Sequence, residues 1–302
     1  MREKDWSGCH IPLVTPFKDD LSIDEDGLRR LVDYFIEEEK VSGLVPCGTT
    51  GESPTLSHEE HNRVIDIVVK HTRGRVPVIA GTGSNSTDEA IFMTRHAEDA
   101  GADATLQVCP YYNKPTQSGL IAHFEAIAGA SRLPMIIYNI PGRTGRNIEP
   151  ETLIKLSEID NIIGLKDAAN DINQTMAILR ATMNGPKTFY VLSGEDAITF
   201  PIMTLGGHGT ICAVGNVIGR EFTEMVRLVI KEGDIEKARE IHYRMLPTVN
   251  ALFIETNPVP VKEAMNMMGL PAGPLRLPLV PMQPKNRELL RQCLVEIGRL
   301  KA

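Results

Sequence analysis

Lys166 ends the run Ile162-Ile163-Gly164-Leu165-Lys166, whose other members are apolar or glycine. Apolar walls penalise the ammonium form of a lysine, lower its pKa and free the neutral amine. Such an amine attacks a ketone and holds it as a Schiff base. A lysine that snorkels from a strand end, or pairs with a carboxylate across a barrel, would carry the same local sequence. Tyr138 could pass protons during imine formation, with Thr49 and a second tyrosine linking it to water. A tyrosine satisfied by a neighbour is the plainer alternative. Thr49-Thr50-Gly51 offers hydroxyls and backbone N–H groups to a carboxylate at a turn leading into a helix, or serves only that turn. Arg143, after Pro141-Gly142, has a fork suited to a second carboxylate, or lies solvated in its loop.

The elements that would carry these groups alternate. Short β-branched or apolar runs at 9–17, 43–47, 77–81, 104–109, 135–139, 162–166, 189–193 and 210–214 read as strands, and amphipathic stretches between them read as helices. Ser57 with Glu60 reads as a capping box, and Thr87 before Asp88 and Glu89 as a second helix start. Eight such units at a spacing of about 30 residues point to an α/β (β/α)8 TIM barrel, with an open doubly wound sheet as the alternative. In a barrel the reactive groups gather at the carboxyl ends of the strands. After residue 231 the alternation stops. The expected division is a catalytic barrel over 1–231 and a helical appendage over 232–302, used for packing or assembly.

Composition narrows the class. The 302 residues are 42% hydrophobic and 24% charged with a net charge of −7, which offers no basic surface for nucleic acid or an anionic membrane. No apolar run approaches a membrane span, and the charged amino terminus does not read as a secretory signal. The five cysteines are odd in number, scattered and without a Cys-x-x-Cys pair, which suits buried thiols in a reducing cytoplasm. His58 and His61 stand three apart at a helix start, but no metalloenzyme carboxylate–histidine motif accompanies them, so no metal and no cofactor are expected.

Four motifs in order, Gly48-Thr49-Thr50-Gly51-Glu52, Tyr138-Asn139-Ile140-Pro141-Gly142-Arg143-Thr144-Gly145, Gly164-Leu165-Lys166 and Leu192-Ser193-Gly194, resemble the dihydrodipicolinate synthase / N-acetylneuraminate lyase family of class I aldolases. The resemblance implies that Lys166 is the Schiff-base lysine and Tyr138 the proton shuttle. Thr49 and Tyr112 would complete the relay, Tyr112 serving a neighbouring subunit of a homotetramer. Thr50, Arg143, Gly194 and Ile211 would bind substrate. The tandem threonines and Arg143 favour the synthase branch, which joins pyruvate to L-aspartate 4-semialdehyde on the route to lysine. Cleavage of 2-keto-3-deoxy sugar acids or N-acetylneuraminate, and a non-catalytic amino-acid-sensing barrel, are the alternatives. Ser53, His58, His61, Asn85, Glu89 and Tyr111 match the family's allosteric lysine site, which implies feedback inhibition by L-lysine. Pro54, Glu195 and Cys212-Ala213-Val214-Gly215 depart from the commonest pattern.

Overall fold

The structure, a computed structural model, describes residues 4–301. Its β-branched and apolar runs form eight strands: β1 (Gly8–Pro12), β2 (Gly43–Val45), β3 (Ile79–Gly81), β4 (Ala104–Val108), β5 (Met135–Asn139), β6 (Ile162–Asp167), β7 (Tyr190–Ser193) and β8 (Gly209–Ile211). All the pairings are parallel, in the order β2-β1-β8-β7-β6-β5-β4-β3. A parallel bridge from Leu44 to Val78 links the two ends of that order. A sheet whose first and last strands meet has no switch point, so the open doubly wound alternative is set aside.

Several boundaries differ from expectation for identifiable reasons. The first strand stops at Pro12, because proline has no N–H for the ladder. The eighth stops at Ile211, and Cys212-Ala213-Val214 forms the turn into the helix Gly215–Arg227. The helix expected to start at Thr87 does so, as Thr87–Ala100; Ser86 is its cap, and the Thr87 hydroxyl bonds to His123 Nδ1 at 2.9 Å. The Pro141-Gly142-Arg143-Thr144 turn is a short helix. The Ser57–Glu60 capping box is formed at both bonds, and the helix it starts is His58–Thr72, as expected.

Inside the ring, Val45, Ile79, Leu106, Tyr138, Leu192 and Ile211 form one buried cluster. A filled interior means that small molecules can enter only at the ends of the strands. The tail helices Ile235–Leu252, Val259–Met267 and Pro284–Glu296 bury Leu252, Met265 and Leu290 in the same apolar cluster as Ile11 and Leu28. A fully buried leucine of this kind stabilises the fold by roughly 1.5–3 kcal/mol. All five cysteines are buried and free, and no described helix is long and apolar enough to cross a membrane.

Candidate active site

Adjacent strands in parallel register place their side chains on shared faces. Tyr138 on β5 pairs with Lys166 on β6, and the Lys166 amine lies 4.0 Å from the centre of the Tyr138 ring. The next residue, Asp167, is buried too, but its carboxylate is occupied by the Thr175 hydroxyl at 2.7 Å and the Ala169 N–H at 3.1 Å. Lys166 is 6% exposed, and its amine has no hydrogen-bond partner among the described residues. Burial pushes its pKa down, the nearby Asp196 carboxylate opposes that, and Arg143 adds to it. Gly194 makes room for the lysine stem: a Cβ there would stand 2.8 Å from Lys166 Cγ. Any other residue would displace the amine.

A cavity of about 410 Å³ opens over Lys166, Tyr138, Thr49 and Arg143. Burial raises the Tyr138 pKa, while the Arg143 charge and a hydrogen bond with Thr49 work against it. The hydroxyl therefore stays protonated at neutral pH, with a threonine beside it. Arg143 is exposed at the rim of the cavity, where its Nη2 donates to the Asn257 carbonyl at 3.1 Å. Thr50 is buried next to Thr49, and Ile211 shares the inner cluster with Tyr138. Tyr112 lies outside the cavity: it is 90% exposed and holds φ at +70°. A bulky residue is strained in that region, and here the described residues leave its ring uncovered.

The second predicted set also converges. Ser53, His58, His61, Glu89 and Tyr111 line the same cavity: Ser53 and Tyr111 lie on the segments after β2 and β4, His58 and His61 on the helix His58–Thr72, and Glu89 on the helix Thr87–Ala100. His58 Nε2 is 3.1 Å from Glu89 Oε1, and the Ser84 hydroxyl also bonds to Glu89. Asn85 is joined through its amide, which donates to the Tyr111 carbonyl at 3.2 Å. Burial pushes His61 down to about 4, so at neutral pH its ring is an uncharged hydrogen-bonding group. Its Nδ1 is buried without a partner. Among the described residues no group of three or more His, Cys, Asp or Glu is arranged to hold a metal ion.

Three contributors escaped the sequence reading. Asp196, in the turn after β7, is fully enclosed; one carboxylate oxygen accepts from the Val214 N–H at 2.9 Å and the other has no hydrogen-bond partner among the described residues. Burial raises its pKa, Glu195 adds to this, and Lys166 acts against it. Asn257 and Lys262 come from the tail. Asn257 Nδ2 donates to the Thr50 hydroxyl oxygen at 3.0 Å, and Lys262 pairs with Glu52 at 2.7 Å. Only Asp196 gave a usable signal, as an acid directly after the Ser193-Gly194-Glu195 strand end.

The chain resembles known proteins over nearly its full length. The model of the dihydrodipicolinate synthetase family matches residues 5–297. A 4-hydroxy-tetrahydrodipicolinate synthase of Methanothrix thermoacetophila is 51% identical over 295 residues, 98% of each chain. The protein of that name from Methanocaldococcus jannaschii is 49% identical over 97% of this chain and 99% of its own. Among solved structures, dihydrodipicolinate synthase from Aquifex aeolicus superposes with a TM-score of 0.94 at 44% identity, covering 98% of this chain and all of that one. One from Cyanidioschyzon merolae with lysine bound reaches 0.94 at 40% identity, covering 99% and 100%. On its barrel, its motifs and these likenesses, the chain belongs to the dihydrodipicolinate synthetase family.

Proposed function

We propose that the protein condenses pyruvate with L-aspartate 4-semialdehyde to give 4-hydroxy-tetrahydrodipicolinate, through a Schiff base on Lys166. The observation that carries this reading is the buried, unpartnered Lys166 amine at the floor of a cavity it shares with Tyr138, Thr49 and Arg143. Desolvation keeps a fraction of that amine neutral, and the neutral form is the one that attacks the ketone carbon of pyruvate. Loss of water from the adduct gives the imine, and loss of a methyl proton gives the enamine. The enamine carbon bonds to the aldehyde carbon of the second substrate. The amine of that substrate then attacks the former ketone carbon, closes the ring and displaces the lysine nitrogen.

Each step moves a proton, and Tyr138 is the group placed to move it. Its hydroxyl remains protonated and is hydrogen-bonded to Thr49, so it can give a proton to the leaving oxygen and recover one through the threonine. Tyr112 would extend that relay in a neighbouring subunit; its exposed ring and strained backbone fit a residue that is covered only on assembly. Thr50 would hold the pyruvate carboxylate, Gly194 and Ile211 would bound the intermediate, and Arg143 would take the carboxylate of the aldehyde. The family resemblance favours a homotetramer and a cytoplasmic enzyme. Ser53, His58, His61, Asn85, Glu89 and Tyr111 form the inhibitory site for L-lysine. Glu89 suits the ligand's ammonium groups, and the amide and hydroxyls suit its carboxylate.

The test is turnover in a reductase-coupled assay. Activity with pyruvate and aspartate semialdehyde is expected, and millimolar L-lysine should depress it. Cleavage of 2-keto-3-deoxy sugar acids with no activity on aspartate semialdehyde would replace the synthase reading with a lyase one.

A further inference from the structure

The turn that carries Thr49 and Thr50 is gripped from several sides, and most of the grip comes from residues far along the chain. The Thr15 hydroxyl donates to the Gly51 carbonyl at 2.7 Å. Glu52, with φ at +54°, sends a carboxylate inward, where Oε1 meets Lys262 Nζ at 2.7 Å and Oε2 meets the Arg276 N–H at 3.0 Å. Lys262 also donates to the Thr15 carbonyl at 3.1 Å and the Pro274 carbonyl at 2.6 Å. Gly273 lets the tail lie this close, since a Cβ there would fall on the Phe17 carbonyl. Asn257, buried in the same region, places its amide nitrogen 3.0 Å from the Thr50 hydroxyl oxygen.

That last bond has a directional consequence. A hydroxyl has one proton to give, and a carboxylate can only accept. While the Asn257 N–H fills the acceptor side of the Thr50 oxygen, the Thr50 proton is left to point elsewhere. We propose that Asn257 is a positioning residue that fixes the Thr50 hydroxyl as a donor to the substrate carboxylate, with the Glu52–Lys262 pair holding the turn in place. This inference rests on reading the cavity as a pyruvate site. It gives the tail a part in substrate binding in addition to packing. Asn257 serves two neighbours through different atoms, because its backbone carbonyl takes Arg143 while its side chain takes Thr50. Side-chain variants therefore separate the two effects.

The decisive variant is Asn257→Asp. It keeps the shape but offers only acceptors, so the Thr50 proton turns towards it and a negative charge faces the incoming carboxylate. Borohydride trapping on Lys166, titrated with pyruvate, and the steady-state KM for each substrate are the readouts. Asn257→Asp is expected to raise pyruvate half-saturation by about tenfold or more, while KM for the aldehyde stays within about twofold. Asn257→Ala, which adds no charge, should move pyruvate alone by a few-fold and supplies the test if the aspartate form does not fold. Leu290→Ala empties a buried position on the tail helix Pro284–Glu296, outside the hydrogen bonds that hold the turn. It should lower the melting temperature and leave pyruvate KM unchanged. Wild-type half-saturation in folded Asn257→Asp, or an equal rise in Leu290→Ala, would overturn the inference while the pyruvate reading stands. An absence of any adduct in the wild-type protein would overturn both.

Discussion

Two lysines are buried in this molecule, and they have opposite surroundings. Lys262 is 1% exposed and Lys166 is 6% exposed, and each amine lies over an aromatic ring, 4.5 Å from that of Phe17 and 4.0 Å from that of Tyr138. Burial lowers the pKa of both. Lys262, however, has three acceptors within 3.1 Å, the Glu52 carboxylate and two backbone carbonyls. Only an ammonium has three N–H groups to meet them. Lys166 has none among the described residues, so its third proton is favoured only by the Tyr138 ring face and by longer-range charge interactions, of which that with Asp196 is the largest. Desolvation alone does not make a lysine reactive; desolvation without acceptors does.

Removing each amine should break different properties. Lys166→Ala should lower turnover by about 10⁴-fold or more with little change in unfolding midpoint, as measured by steady-state assay and urea titration. Lys262→Met should instead destabilise the fold by about 3–5 kcal/mol, because Glu52 is left charged and uncompensated. Combining it with Glu52→Gln should recover much of that loss, which denaturant midpoints would show. Equal stability losses in the two single lysine variants would erase the contrast.

How far the contrast could be read from the sequence differs between the two residues. Lys166 was legible because it closes an apolar strand run at the end where a barrel gathers its reactive groups. Lys262 was not, because a lysine within an amphipathic helical pattern normally marks the solvated face, and its partner Glu52 stands in another motif entirely. Asn257 was hidden for the same reason: its meaning lies in a contact with Thr50 that no local period encodes. The barrel itself was visible in the alternation of runs, and 135–139 was found as the strand β5 without change. Strand ends were less legible, since the apolar run 210–214 contains both the end of β8 and the turn after it.

Smaller perturbations sharpen the account of Lys166. Arg143→Ala should leave pyruvate trapping intact and reduce kcat/KM for the aldehyde by about 10²-fold, since a charge-assisted pair to its carboxylate is lost. Loss of trapping in this variant would move Arg143 to the first substrate. The pH profile gives the finest test. The neutral amine reacts, so the rate of adduct formation should climb as pH rises through the Lys166 pKa. The Asp196 carboxylate favours the ammonium form, so Asp196→Asn should lower that pKa and move the acidic limb to lower pH. A limb that moves upward would mean that Asp196 does not act on Lys166 as an anion.

The most direct measurement is to treat the protein with pyruvate and borohydride, digest it and locate the added mass. The account predicts a reduced pyruvyl adduct on the peptide containing Lys166 and none on the peptide containing Lys262. An unmodified Lys166, or an adduct on Lys262, would contradict it.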